Sequence, residues 1–294
     1  MLPALTSSLL RWRPTHLRSR SGSLFKLSTC RAARTTKDSG MDFSAKTILV
    51  TGAGSGIGRA IAETFARGKA RVVLHDVNPA AEKLAGSIGA EFLPGDLSEP
   101  AAVRQLASAA LEMAGGRIDI LVNNAGFQHI AKVEEFPEET WAKMIQVMLV
   151  APFQLIRALL PGMKQNAWGR IVNVASIHAV VASPFKSAYI SAKHGLLGLT
   201  RCVALEAAPF GVTVNAICPA YVRTPLVEKQ IADQAREHGL TTEEVIQKIM
   251  LEPAAIKRLI EPSEVADFVG FLCSDSGAVI TGSAQMLDLG WTAR

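Results

Sequence analysis

The stretch KTILVTGAGSGIGRAIAETFARG, residues 46–68, narrows the possible folds more than any other part of the chain. An apolar β-branched run, Thr47 to Thr51, passes through four closely spaced glycines, Gly52, Gly54, Gly56 and Gly58, into a helical pattern. A strand, a glycine turn and a helix N-terminus together form an anion site. Backbone N–H groups and the helix dipole face the anion, and the missing side chains let it approach. This arrangement belongs to a strand–helix–strand unit, and RVVLHD (71–76) supplies the next strand. Strand-like and helix-like segments alternate along the whole chain, which predicts an α/β fold with a parallel sheet.

Asp76 closes the second strand 18 residues after Gly58, where an acid would meet the 2′-hydroxyl of an adenosine ribose. A carboxylate there also repels a 2′-phosphate, and neither Ser55 nor Val77 offers a cation to welcome one. The expected cofactor is therefore NAD rather than NADP. Asp76 also suits a helix cap before NPAAEKL, and the two roles are compatible. A third strand ends in FLPGDLS, placing Asp96 and Leu97 at the adenine edge. A fourth, IDILVNNAG, ends in Asn123, Ala125 and Gly126, small groups that let a cofactor lie on the backbone, although NNAG alone could equally be a turn.

Composition sets limits. Hydrophobic residues make up 49% and charged residues 19%, an ordinary globular profile. The formal charge of +5 is unevenly placed. Residues 1–40 carry eight Lys and Arg against one acid, Asp38, and the remaining 254 residues are near neutral at −2. The basic pI thus gives no case for a nucleic-acid surface. The Arg- and Ser-rich, almost acid-free extension 1–40 fits a mitochondrial transit peptide, which would place the protein in the matrix. If Met41 is the true start, the protein is expected in the cytoplasm. Polar residues interrupt the apolar runs of residues 41–294 before the ~20 needed to span a membrane, so no membrane partner is expected. Four cysteines without CxxC spacing read as reduced, and six histidines without ligand spacing predict no metal.

The second half carries the candidate chemistry. In VNVASIHAVVASPFKSAYISAKHG (172–195), Ser176 follows a fifth strand, Ile171 to Ala175, at the carboxyl end where open parallel sheets bind ligands. Tyr189 and Lys193, four apart, share a helix face. Alone, this pair would more often be a half-buried tyrosine and a solvated lysine. After the glycine turn and Ser176 it reads as a proton-transfer site. A phenol titrates near 10, so the expectation is that the lysine ammonium and a nicotinamide lower it. Tyr189 would then take the alcohol proton, Ser176 hold the substrate oxygen, and Lys193 also bind the nicotinamide ribose.

TGAGSGIG, NNAG, Ser176 and YISAK, in this order, resemble the short-chain dehydrogenase/reductase family over about residues 43–294. The resemblance implies a single Rossmann-like domain over 41–294, a doubly wound parallel sheet flanked by helices on both faces. It also implies assembly as a homotetramer or homodimer. The implied cofactor contacts are Gly52, Ser55, Gly56, Ile57, Gly58, Asp76, Asp96, Leu97, Asn123, Ala125, Gly126, Tyr189, Lys193, Pro219, Val222 and Thr224. The last three lie in ICPAYVRTP, like the family's segment over the nicotinamide, and residues from about 224 to 260 look like a mobile substrate lid.

Longer matches, such as NNAGFQHIAKVEEFP, KSAYISAKHGLLGLT and TPLVEKQI, are similar to bacterial-type (R)-3-hydroxybutyrate dehydrogenases. They imply a small hydroxy-acid substrate whose carboxylate meets Gln128, His178, Lys186 and Gln230, with Ser176 and Tyr189 at its other end. By spacing alone, Lys186 could be a solvated loop lysine and His178 a buried neutral one. Several positions depart from the pattern. Met148 replaces the family's relay asparagine, Pro184 a second lysine, Ala220 a glycine and Tyr221 a tryptophan. Met148 keeps a second reading open beside the dehydrogenase, an NAD(H)-binding protein of low activity acting as a sensor or partner subunit.

Overall fold

The computed structural model describes residues 41–293. The expectations for the basic extension 1–40, and Cys30 within it, lie outside the described residues. Seven strands form one sheet in the order β3-β2-β1-β4-β5-β6-β7. They are β1 (Thr47–Thr51), β2 (Arg71–Asp76), β3 (Glu91–Pro94), β4 (Ile120–Asn123), β5 (Gly169–Val174), β6 (Val212–Pro219) and β7 (Ala284–Leu287). All neighbouring pairs are parallel. The winding reverses between β1 and β4, and that reversal opens a crevice above their carboxyl ends. The expected α/β fold, Rossmann-like and doubly wound, is what the chain adopts.

Both faces are covered, which is why the strands read as unbroken apolar runs. Ile48, Val50, Val72 and Leu74 bury on the side of α1 (Gly56–Arg67), with Ile61, Phe65 and Val269. Leu49, Val73 and Leu121 bury on the other, with Val103, Leu155 and Leu159 of α3 (Pro100–Met113) and α5 (Ala151–Gln165). The helix α2 (Ala81–Ile88) follows β2.

Helix α4 (Glu138–Ile145) runs through a π-helical stretch, Gln146–Val150, straight into α5. The result is a continuous 28-residue helical segment, Glu138–Gln165, long and apolar enough by length and composition to cross a membrane. The interruptions at Gln146, Gln154 and Pro161 that ended the apolar runs in the sequence do not break the helix. Half of its most apolar window is buried inside the protein, where Met144, Met148 and Leu155 pack.

Helix α6 (Ser187–Ala207) lies against β5 and β6. A directed hydrogen-bond chain ties it to the sheet. Asn123 Nδ2 donates to Asn173 Oδ1 at 2.8 Å, Asn173 Nδ2 to Thr200 Oγ1 at 2.8 Å, and Thr200 Oγ1 to the Leu196 carbonyl at 2.7 Å. Beyond β6, α7 (Pro225–His238), α8 (Thr242–Val245) and a π-helical stretch, Ile246–Met250, gather their own small apolar cluster of Val227, Ile231, Val245, Met250 and Leu259. Thr224 caps α7, its hydroxyl accepting from Val227 N, and Pro225 starts it without wasting an N–H. The chain rejoins the body where Val222 bridges Ile260, before α9 (Pro262–Cys273).

Candidate active site

The glycine turn is shaped by close approach. Gly52 (φ +61°) lies where a Cβ would come within 2.8 Å of Ala125 Cα. Asn124 fastens the same spot, its Nδ2 donating to the Thr51 and Gly52 carbonyls, each at 2.9 Å. Ser55, at the N-cap of α1, makes no side-chain capping bond, and the first turn of α1 holds no acid. The N–H groups there are thus available to a phosphate. At the end of β2, Asp76 Oδ2 accepts from Gly54 N and Oδ1 from Asn78 N, both at 2.8 Å.

These groups open on a cleft of about 660 Å³ above the strand ends. Gly52, Ser55, Gly56 and Ile57 form its floor. Asp76, Asp96 and Leu97 line one end, and Ala125 and Gly126 the middle. Pro219, Val222 and Thr224 face the other end, together with Ser176, Tyr189 and Lys193. Two expected contacts do not line the cleft. Gly58 sits behind the turn, where a Cβ would meet Gly52 O at 2.4 Å, and Asn123 points into the core toward Asn173. Asn124, which the sequence reading passed over, is the member of the NNAG pair on the cleft. The reason lies in where the strand ends. Asn123 is the last residue of β4 and buries its side chain, so the next residue is the first free to reach the turn.

Ser176, Tyr189 and Lys193 converge. Lys193 is buried, and its Nζ donates to the Val174 carbonyl at 2.7 Å, 5.5 Å from the Tyr189 ring centroid. Burial brings its ammonium down to about 8. The expected lowering needs the nicotinamide, and the protein's own groups act on balance the other way on the Tyr189 phenol. Burial pushes it up, a hydrogen bond with Ser176 opposes this, and the nearby Tyr221 and Cys218 add to the rise. Desolvation dominates because the phenolate would sit in an apolar wall.

A second cavity of about 70 Å³ adjoins, lined by Gln128, Ser176, His178, Lys186, Tyr189 and Gln230 among others. All six residues expected at the substrate thus meet in one place, although Gln128 and Gln230 are 102 positions apart. Gln230 Nε2 donates to Gln128 Oε1 at 3.3 Å, while the buried Gln128 Nε2 has no partner among the described residues. His178 shares a hydrogen bond with Ser183 Oγ at 2.8 Å. Burial first, then Lys186 and His194, bring its pKa down to about 4, so it is neutral at pH 7. Burial also lowers Lys186, which has no ion-pair partner among the described residues. A cation, an unpaired amide donor and a neutral imidazole around so small a space suit an anionic group such as a carboxylate.

Among the departures, Ala220 lines both cavities and Tyr221 the second. Met148 lines neither. It is buried, with its sulfur 3.1 Å from where a Cβ on Gly126 would lie. Among the described residues no group of three or more His, Cys, Asp or Glu is placed to hold a metal ion.

The family model described as Enoyl-(Acyl carrier protein) reductase matches residues 52–292. The chain is 47% identical over 257 residues to a D-beta-hydroxybutyrate dehydrogenase of Rhizobium meliloti (strain 1021), covering 85% of this chain and 99% of that protein. It is 42% identical over 255 residues to a D-beta-hydroxybutyrate dehydrogenase of Cupriavidus necator, covering 85% and 98%. An uncharacterized oxidoreductase of Bacillus subtilis (strain 168) is 44% identical over 252 residues, covering 84% and 98%.

Proposed function

Since the chain belongs to the short-chain dehydrogenase/reductase family and is an oxidoreductase of that type, we propose that it is an NAD-dependent dehydrogenase of (R)-3-hydroxybutyrate or a related small 3-hydroxy acid, with acetoacetate as the product. The observation that carries this reading is the second cavity, where Gln128, His178, Lys186 and Gln230 gather beside Ser176 and Tyr189. The names of the relatives support it. The low-activity alternative finds no support, because Met148 packs outside both cavities and Ser176, Tyr189 and Lys193 are all present.

Bound nicotinamide supplies the hydride acceptor. The chain's own groups hold and move the proton. Lys186 and the Gln128 amide take the carboxylate, fixing one end of the acid. Ser176 Oγ holds the oxygen of the reacting carbon, and Tyr189 exchanges the proton with that oxygen. Lys193, anchored on the Val174 carbonyl, lies beneath the phenol and would meet the nicotinamide ribose. The segment of about 224–260 would act as a lid. Exposed Phe153 of α5 and Leu205 of α6 offer apolar surface to the homodimer or homotetramer implied by the resemblance.

Lys186→Ala should raise KM for (R)-3-hydroxybutyrate about tenfold or more, the loss expected of a charge-assisted contact, and leave NAD affinity alone. Steady-state NADH absorbance and an NAD titration check both parts. A protein that never oxidises this substrate, or a variant with unchanged KM, points to a different ligand.

The Asp76 carboxylate, with Val77 63% exposed beside it and no basic side chain at Ser55, favours NAD. NAD should bind at least about tenfold more tightly than NADP, about 1.4 kcal/mol. Calorimetric titration of the two dinucleotides measures this directly, and equal affinities would refute the preference.

A further inference from the structure

His75 is a buried polar side chain in the cleft wall that the chemistry above does not use. It is 2% exposed and stands in β2 between Thr51 of β1 and Leu93 of β3. Its Nε2 lies 3.1 Å from the Gly95 carbonyl. A carbonyl only accepts, so Nε2 carries the proton and Nδ1 is a bare lone pair. That Nδ1 is buried without a partner among the described residues. Asp76, Asp96 and the Gly95 bond favour the charged imidazole, yet burial prevails and holds its pKa below the usual value. The ring is neutral at pH 7.

A buried polar atom left unpaired costs stability, which valine at this strand position would avoid. Stability alone does not account for the histidine. Its one bond goes to the residue that opens the turn Gly95–Ser98, and all four residues of that turn line the cleft. The turn has one further side-chain support from outside, Gln146 Nε2 on the Leu97 carbonyl at 3.3 Å, and one from within, Asp96 Oδ1 accepting from Ser98 N at 2.9 Å. His75 braces the entry of the turn from the sheet, and Gln146 braces its exit from the helix.

We infer that His75 is a positioning residue for the adenosine half of the dinucleotide, holding the Gly95–Ser98 turn at the height the base requires through its bond to the Gly95 carbonyl. The inference rests on the reading of the cleft as a nicotinamide-dinucleotide site. It concerns that site's outer end, away from Tyr189 and Lys193.

The test uses the full chain and the two halves of the cofactor, AMP and nicotinamide mononucleotide. With His75→Val, the Kd values of NAD and AMP should rise together by about tenfold, the worth of one hydrogen bond in a positioned turn. Nicotinamide mononucleotide should bind within twofold of the unsubstituted protein, and the thermal midpoint should be unchanged or higher. His75→Gln places an amide N–H the same number of bonds from the backbone and should restore most of the AMP affinity. Stability and affinity moving in opposite directions, with rescue by glutamine, is a result that a purely structural role would not produce. Unchanged AMP affinity in His75→Val, or an equal loss for nicotinamide mononucleotide, overturns the inference while the dehydrogenase reading stands. If the unsubstituted protein binds neither NAD nor AMP, the reading of the cleft fails and the inference goes with it. Should His75→Val not fold, His75→Met carries the same comparison.

Discussion

Tyr189→Phe should lower turnover by roughly a thousandfold, within the range for loss of a general acid–base group, while NAD affinity stays close to that of the unsubstituted protein. Phenylalanine keeps the ring and its edge contact with His178 at 6.0 Å. Only the O–H that exchanges the proton is removed. Because burial raises the phenol's pKa, the protein on its own holds Tyr189 protonated at neutral pH, ready to donate to a ketone. Taking up a proton needs the phenolate, which becomes more abundant only as pH rises. Oxidation of the alcohol should therefore accelerate toward alkaline pH, and reduction should not. Parallel kcat profiles in both directions, with an NAD titration of the variant, test this. A phenylalanine variant that keeps a tenth of the turnover would mean that another group carries the proton.

Gly58→Ala should cost cofactor binding on the order of a hundredfold although Gly58 does not line the cleft. A Cβ there would lie 2.4 Å from both Gly52 O and Asn124 Nδ2, the two ends of one hydrogen bond, and 3.0 Å from Ala53 Cα. Two of these atoms are backbone, and Asn124 Nδ2, a side-chain tip, is held in place by its bonds to the Thr51 and Gly52 carbonyls. The turn itself must shift, and overpacking of this kind costs about 1–3 kcal/mol of stability in addition to the lost site. Gly86→Ala is the natural control. It lies within α2 with nothing within 4 Å of its Cβ position, so it should stabilise by up to about 1 kcal/mol. Urea midpoints of the two variants should move in opposite directions, and NAD binding should weaken only in Gly58→Ala. Unaltered NAD binding in Gly58→Ala would show that the turn tolerates displacement.

Much of the fold was legible because parallel strands covered on both sides leave an unmistakable apolar run, as in TILVT and RVVLHD. The glycine turn was legible for a related reason, since a left-handed backbone and close approach at Gly52 leave few alternatives to glycine. What escaped was orientation. Local pattern does not say that Asn123 turns inward and Asn124 toward the turn, nor that Gly58 serves from behind. The upward push of burial on the Tyr189 phenol was not legible because it depends on how much low-dielectric wall surrounds the group, a tertiary quantity. The meeting of Gln128 with Gln230 was expected only through resemblance, as nothing in their spacing brings them together. The continuous length of the helix Glu138–Gln165 was not read from the sequence; it absorbs Gln146 at a π-helical stretch and Pro161 within the helix.

The Val222–Ile260 bridge has a consequence for how such a protein can change its substrate. Arg223 N donates to the Ile260 carbonyl at 2.8 Å and Ile260 N to the Tyr221 carbonyl at 3.0 Å, so residues 223–259 leave and re-enter the body at one point. The excursion has a small apolar cluster that Leu289 and Trp291 help to cover, and it touches the body again where Ala255 N and Ile256 N donate to the Leu289 carbonyl, but altering the length of its outer part costs little closure entropy. It can be lengthened, shortened or exchanged wholesale without shifting the register of any strand. Such an exchange would carry Gln230 with it and leave Gln128, His178 and Lys186 behind, changing one wall of the small cavity while Ser176, Tyr189 and Lys193 stay in place.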